Sequence, residues 1–275
     1  MQAVDDIQIR SLHQIHELEE ARKLERKVWG ETDSIPTHQT ITAVKNGGLV
    51  LGAFVGEKLV GFQYSFPGFN GKTAYLCSHI LATDDDYRNK GIGERLKKAQ
   101  REEALKLGYS LITWTYDPLE SVNGYLNIAK LGGISSTYIE NCYGEMDDLL
   151  NEGIPSDRFL VEWHIRHEQD LKPQTEYELD FLMNNALNQW EIHKDGDPIP
   201  AAFLPVTQDS IAFVAIPKNF RVIKEASLDV ALKWRLHTRE IFSQVFQQGW
   251  QASGFSKNNH PDLPVNFYVL TKETM

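Results

Sequence analysis

The segment Ile80 to Gly93, ILATDDDYRNKGIG, constrains this chain more than any other. An apolar run stops, three acidic residues intervene, and Arg88, Gly91 and Gly93 lead into a helix-like stretch. Two glycines two residues apart let the backbone turn tightly, so successive N–H groups can converge on an anion with no Cβ in the way. The helix that follows opens Glu94-Arg95-Leu96-Lys97-Lys98-Ala99 and offers unpaired N–H donors at the positive end of its dipole. With Arg88 and Lys90 adding formal charge, the turn suits a pyrophosphate. Taken alone, the same pattern also describes an ordinary strand-to-helix turn.

Two other nucleotide motifs are excluded. A dinucleotide fingerprint needs a third glycine where Leu96 or its neighbour stands. Gly71-Lys72-Thr73 resembles the end of a P-loop, but the leading glycine that motif requires is replaced by Phe66. Gly68-Phe69-Asn70-Gly71 reads instead as the turn of a β-hairpin.

At 275 residues and 41% hydrophobic content, the chain can build one large domain or two modest ones. No run approaches the roughly 18 apolar residues of a membrane helix, and Met1 to Asp6 lacks a basic region leading into an apolar one, so a soluble cytoplasmic protein is expected. Cys77 and Cys142 fit neither a disulfide framework nor a zinc site; both read as buried thiols. A net charge of −10 argues against nucleic acid as a partner. Against that background Arg88, Lys90, Arg95, Lys97, Lys98 and Arg101 concentrate positive charge around the glycine turn, as a local anion site or as the solvated face of a helix.

The apolar periodicity predicts a strand at 7–10, helices at 13–29 and 37–44, and strands at 49–55, 59–66 and 73–83. A helix follows over 91–107, with Ile92, Leu96, Ala99, Glu103 and Leu107 in one stripe and Gly108 just past its end. Then come a strand at 110–116, a helix at 121–131 and strands at 137–143 and 159–165. This order describes an α/β domain over residues 1–168, with Lys172-Pro173-Gln174 as a linker. Residues 175–275 form a smaller α/β region of strands at 190–192 and 210–216, a helix at 228–248 and a strand at 265–270. Its strand, loop, helix, strand order suggests a degenerate half-copy of residues 73–116.

With that order in place, Leu81-Ala82-Thr83 followed by Arg88-Asn89-Lys90-Gly91-Ile92-Gly93 closely resembles the coenzyme A signature of the GNAT acyltransferase superfamily. The stretch from Asn123-Gly124-Tyr125 to Leu131-Gly132 is similar to that family's second signature. The resemblance spans roughly residues 1–168 and implies a mostly antiparallel mixed sheet flanked by helices. It also implies that Arg88, Asn89, Lys90, Gly91, Ile92 and Gly93 hold the pyrophosphate, that Leu81, Ala82 and Thr83 meet the pantetheine arm, and that Asn123 adds a contact. The co-substrate would be acetyl-CoA or another acyl-CoA, with no metal.

An amine of pKa near 10 is about 99.9% protonated at neutral pH, so its attack on a thioester needs a base and an oxyanion donor. A backbone N–H near Leu81 is the simplest donor. Strand alternation puts Cys77, His79, Leu81 and Thr83 on one face, which makes His79 the candidate general base; the alternative is a histidine packed between strand and helix. The position resembles one where some family members carry a catalytic histidine. Many members also have a leaving-group tyrosine where this chain has Ile128, which leaves the acid role open. Tyr125 is the candidate acid, with Tyr116 and Tyr138 near it in sequence; each can equally be a packing aromatic.

Asp84-Asp85-Asp86 point apart as consecutive residues and read as loop carboxylates rather than a metal site. His13 and His16 read as surface residues. The expected function is N-acylation of a small-molecule amine. The two-part chain also resembles an outlying bacterial branch of the superfamily, some members of which are linked to N-succinyl amino acids. That resemblance adds succinyl-CoA as a possible donor and an amino acid as acceptor, with Arg166, Arg235 or Arg239 to hold a carboxylate unless they form structural ion pairs. The rival reading is a non-catalytic acyl-CoA sensor on the same fold. Oligomeric state is not encoded legibly.

Overall fold

A computed structural model describes residues 7–30, 34–144, 153–166, 175–193, 196–205, 210–260 and 262–272. The expected linker at 172–174 and the N-terminal six residues lie outside the described residues. By packing, the chain divides into two compact units, one of Met1–Trp114 with Trp163–Glu168 and one of Thr115–Glu162 with Gln169–Met275.

The first unit is built on strands β1 (Ile7–Ser11), β2 (Leu49–Val55), β3 (Lys58–Phe69), β4 (Ala74–Thr83) and β5 (Leu111–Tyr116), which begins in it. Neighbours β1 to β4 run antiparallel, and β4 meets β5 in parallel at Leu76–Ile112 and Cys77–Thr113. Helices α1 (Ile15–Trp29) and α2 (Thr37–Lys45) pack on the sheet, α1 through Leu18, Ala21 and Leu24 and α2 through Ile41, Ala43 and Val44, in a cluster with Val50, Phe62, Tyr64 and Ala82. Helix α3 (Ile92–Lys106) also packs on the sheet; a Cβ added at Gly61 would stand 2.9 Å from Ile92 Cγ2. The hairpin between β3 and β4 turns at Asn70, whose side-chain oxygen accepts the N–H of Lys72 at 3.1 Å and of Thr73 at 2.9 Å, as expected of an Asx turn.

The buried stripe of α3 is Ile92, Leu96, Lys97, Gln100 and Ala104, so the expected stripe is right only for its first two members. Glu103 and Leu107 face outward, because the polar groups of Lys97 and Gln100 have partners beneath the helix that periodicity cannot register. Gly108 closes the helix at φ 90°, as its position foretold.

In the second unit, α4 (Ser121–Gly124) runs into a π-helical turn over Tyr125–Lys130, where an α-helix was expected throughout. The wider turn lies where Gly124 is pressed on Phe255 and Tyr268; a Cβ there would stand 2.7 Å from the Phe255 ring and from the Tyr268 hydroxyl. Strands β6 (Ile134–Ile139) and β7 (Arg158–His164) form an antiparallel pair. The C-terminal part adds α5 (Leu179–Asn184), the hairpin β8 (Asn188–Ile192) and β9 (Pro198–Phe203), β10 (Ile211–Pro217), α6 (Phe220–Ala226), α7 (Leu228–Gln247), β11 (Trp250–Ser256) and β12 (Val265–Lys272). The short elements α5, β9, α6 and β11 escaped the sequence reading.

The suspected half-copy needs correcting. In residues 73–116 the two strands flanking the helix are parallel neighbours, whereas β12 lies between β10 and β11, antiparallel to both. Strand, helix, strand and a strand returning antiparallel is the order of residues 111–164, so those are what the C-terminal region echoes. The two hairpins meet back to back, β6 beside β11, at Ser135–Ala252.

Candidate acyl-CoA site

Between Thr83 and α3 the chain forms a 3₁₀ turn at Asp85–Tyr87 and then passes through two left-handed residues, Asn89 at φ 61° and Gly91 at φ 73°. Gly91 is the residue just before the helix, and a Cβ built on it meets nothing within 4 Å. Its glycine serves backbone conformation rather than space. Among the described residues, the N–H groups of Asn89, Lys90, Gly91, Ile92 and Gly93 have no protein acceptor, while Arg95 N–H returns to Gly91 C=O at 3.1 Å. Five consecutive free donors at the start of a 15-residue helix suit a multiply charged anion.

The surrounding charges are tied down locally. Arg88 pairs with Asp85 at 2.8 Å, and Lys90 Nζ donates to the Asp86 carbonyl at 2.9 Å while lying 4.5 Å over the Tyr87 ring. Asp84 is buried, accepting from Lys27 at 2.9 Å with Lys58 at 3.6 Å. Although burial pushes its carboxyl upward, these lysines and the Asp86 N–H hold it below its ordinary value. The three aspartates therefore organise the loop, and no metal-binding cluster occurs among the described residues.

Strand β4 borders this turn: Leu81 Cδ2 lies 3.5 Å from where a Cβ on Gly93 would stand. Its pairing with β5 covers Leu76 and Cys77 only, so from Ser78 to Thr83 that side of β4 has no ladder to β5 among the described residues. An extended ligand can pair there as a strand would.

The expected single face of Cys77, His79, Leu81 and Thr83 is corrected by a β-bulge. Tyr64 pairs with Ile80 and Ser65 with Ser78, which leaves His79 as the extra residue. A bulge reverses the alternation beyond it. Cys77, opposite Phe66, keeps to the α1/α2 side with His79, whose ring meets Phe66 at 5.6 Å and Tyr64 at 6.2 Å. Leu81 turns to the α3 side, beside Gly93. His79 stays exposed to solvent, and the partial desolvation of its ring lowers its pKa, so it is neutral at pH 7. His13 and His16 are exposed as expected.

Lys97, counted in the sequence as part of the basic cluster, is buried. Its Nζ donates to Ser78 Oγ at 2.8 Å and lies 3.6 Å over the Trp114 ring; Gln100 donates to Ser65 Oγ at 2.7 Å beside it. Desolvation pushes Lys97 well below its ordinary pKa, against a smaller opposing effect of Cys77. The unfolded chain therefore takes up a proton near pH 10 that the folded chain refuses until much lower pH, so this lysine costs stability progressively as pH falls from about 10. K97M is expected to be at least as stable as wild type at pH 7. Urea melts should show that it has lost the wild-type gain in stability between pH 7 and 10.

In the second unit, Asn123 is half-buried and Tyr125 carries Lys257 Nζ 3.6 Å over its ring. Ile128 is buried. Tyr116 bonds to Tyr268 at 3.0 Å and Tyr138 to Asp157 at 2.7 Å; burial raises both phenol pKa values out of reach of an acid role at neutral pH. Arg235 forms a buried bidentate pair with Asp117, and Arg239 a pair with Asp157 at 2.8 Å. Both arginines are thereby withdrawn from the role of substrate-carboxylate ligand; Arg166 is exposed.

Compared with known families, residues 12–125 match the model of the Acetyltransferase (GNAT) family. These residues are a GNAT domain. Among solved structures, the chain is similar to the ribosomal-protein-S18-alanine N-acetyltransferase of Escherichia coli, at 17% identity over 62% of this chain and 99% of that one, with a TM-score of 0.48. A GNAT-family acetyltransferase of Streptococcus pneumoniae gives 16% identity over 58% and 99%, TM-score 0.47. The protein yncA of Salmonella typhimurium, solved with its cofactor acetyl-CoA, gives 12% identity over 63% and 98%, TM-score 0.46. No curated protein matches the sequence. Within the GNAT domain, the free amides at the start of α3 fall inside the matched residues, as does the bulged strand before them.

Proposed function

We propose that this protein transfers an acyl group from coenzyme A to the amino group of a small molecule. The observation that carries the reading is the run of five free N–H groups from Asn89 to Gly93, bordered by a strand edge that β5 leaves unpaired beyond Cys77. The amides would hold the pyrophosphate of acyl-CoA and the edge from Leu81 to Thr83 its pantetheine amides, with a backbone N–H near Leu81 as oxyanion donor.

His79 is the base in this reading. Neutral at pH 7, its imidazole accepts the proton that the acceptor's ammonium must lose; the amine then attacks the thioester carbonyl carbon, an N–C bond forms and the C–S bond breaks. The leaving thiolate is a tolerable leaving group unaided, which fits a chain with Ile128 in place of a tyrosine. Tyr125 remains the candidate for protonating it. Acetyl-CoA is the donor supported by the family match, and succinyl-CoA is the finer alternative. Residues 1–168 would supply the GNAT half and residues 175–275 an extension of it.

The test is acceptor-dependent release of free thiol from acetyl-CoA and succinyl-CoA against a panel of amines. Release with at least one amine is the expected outcome. Tight coenzyme A binding with no acceptor-dependent thiol would instead identify a sensor, the rival that Ile128 keeps open.

A further inference from the structure

The bulge that singles out His79 is gripped from the α3 side. The last regular pair before it along β4 is Ser65 with Ser78, and both hydroxyls meet side chains of α3. Lys97 Nζ donates to Ser78 Oγ at 2.8 Å, and Gln100 Nε2 donates to Ser65 Oγ at 2.7 Å. These donors stand three residues apart on one face of α3, so a single helix holds both members of the pair. Gln63, which pairs with Leu81 beyond the bulge, reaches back across it and donates to Ser65 Oγ and, at 3.4 Å, to Ser78 Oγ. All five side chains are buried.

Apolar side chains would fill this layer more stably. Lys97 is desolvated, and Gln63 Oε1, Gln100 Oε1 and Trp114 Nε1 are buried with no hydrogen-bond partner among the described residues. Such departures from a fully satisfied core gather where function requires them. What apolar packing lacks is direction: it would tolerate a slide of the Ser65–Ser78 pair by one residue, whereas a hydrogen-bond network specifies one arrangement. A slip of one residue would move the bulge along β4 and send His79 to the other face of the sheet. There it would lose the Tyr64 and Phe66 rings that it now meets.

We propose that Lys97 and Gln100 are positioning residues for acyl transfer: they clamp the Ser65–Ser78 pair and so hold His79 on the face where it serves as base. The inference rests on the proposed N-acyltransferase reading, in which His79 takes the proton of the incoming amine. Both residues act through the strand that carries the imidazole, from the opposite side of the sheet.

The test compares K97M and Q100L in wild-type protein with the same substitutions made in H79A protein. In the wild-type background each should lower kcat about tenfold to a hundredfold, the scale of a small misplacement of a catalytic group, while the dissociation constant for coenzyme A stays within about twofold. In the H79A background neither should lower kcat further, because the group they position is gone. The NMR signal of His79, assigned by its absence from H79A, gives a readout that needs no turnover. Its titration midpoint should rise toward the ordinary value near 6.5 in both variants, as the ring leaves its aromatic neighbours. Each substitution replaces a buried polar side chain by an apolar one of similar size, so both variants should fold, as thermal melts will check. S78A, which removes only the acceptor of Lys97, completes the set and should match K97M. Wild-type kcat with an unmoved His79 signal in the folded variants would overturn the inference. So would an equal loss of kcat in the H79A background, the mark of a merely structural role. A wild-type protein that releases no thiol with any amine would overturn the transferase reading instead, and the His79 signal would then decide the clamp.

Discussion

Gly93→Asp is expected to abolish useful affinity for coenzyme A while leaving the fold intact. The side chain would start 3.5 Å from Leu81 Cδ2, an ordinary contact, and an acidic residue in the first turn of α3 is favourable to the helix itself. Thermal melts should therefore show no loss of stability. The same carboxylate would stand among the free amides from Asn89 to Gly93, where the diphosphate is proposed to sit. Like charges brought together in a binding site cost several kcal/mol, so the dissociation constant should rise by about two orders of magnitude or more. Fluorescence or calorimetric titration with coenzyme A measures it. Unchanged affinity in a folded G93D protein would remove the anion site from the molecule.

His79→Ala should lower kcat/KM by about 10² to 10⁴ at pH 7, the usual contribution of a positioned general base. The wild-type profile should lose activity as pH falls through a midpoint below the ordinary histidine value near 6.5, since desolvation lowers the pKa of His79 in the fold. The variant should lack that acidic limb. The same shift has a stability counterpart with a defined sign. The unfolded chain protonates this histidine near pH 6.5 and the folded chain only lower, so His79 costs stability as pH falls through that window and nothing above it. An H79A enzyme with wild-type rates from pH 6 to 9 would take the base role away from this residue.

The sequence made the turn before α3 legible because glycine at a left-handed position is a local requirement, readable without knowing what lies across from it. The apolar strands and long helices were legible for the same reason: their period is written along one segment. What escaped was set by partners distant in sequence. The bulge at His79 exists only in the register between β3 and β4, so strict alternation placed Leu81 on the wrong side. Lys97 looked like surface charge because its partner Ser78 lies 19 residues back on another element. Glu25 sat unremarked in a helix rich in glutamate, and its burial and the Ile35 N–H it accepts set it apart from Glu19 and Glu20.

The back-to-back hairpins of the second unit bear on how such a chain can change over evolutionary time. Asp157 answers Arg239, Asp117 answers Arg235, and Phe159 packs edge-on to Phe242 at 4.6 Å. Each of these pairs joins a residue before position 165 to one after 230. Deleting the last hundred residues would strand the buried Asp157 and the half-buried Asp117 and strip an aromatic centre, so the tail is inherited as part of that packed core rather than as an appendage that a lineage can shed.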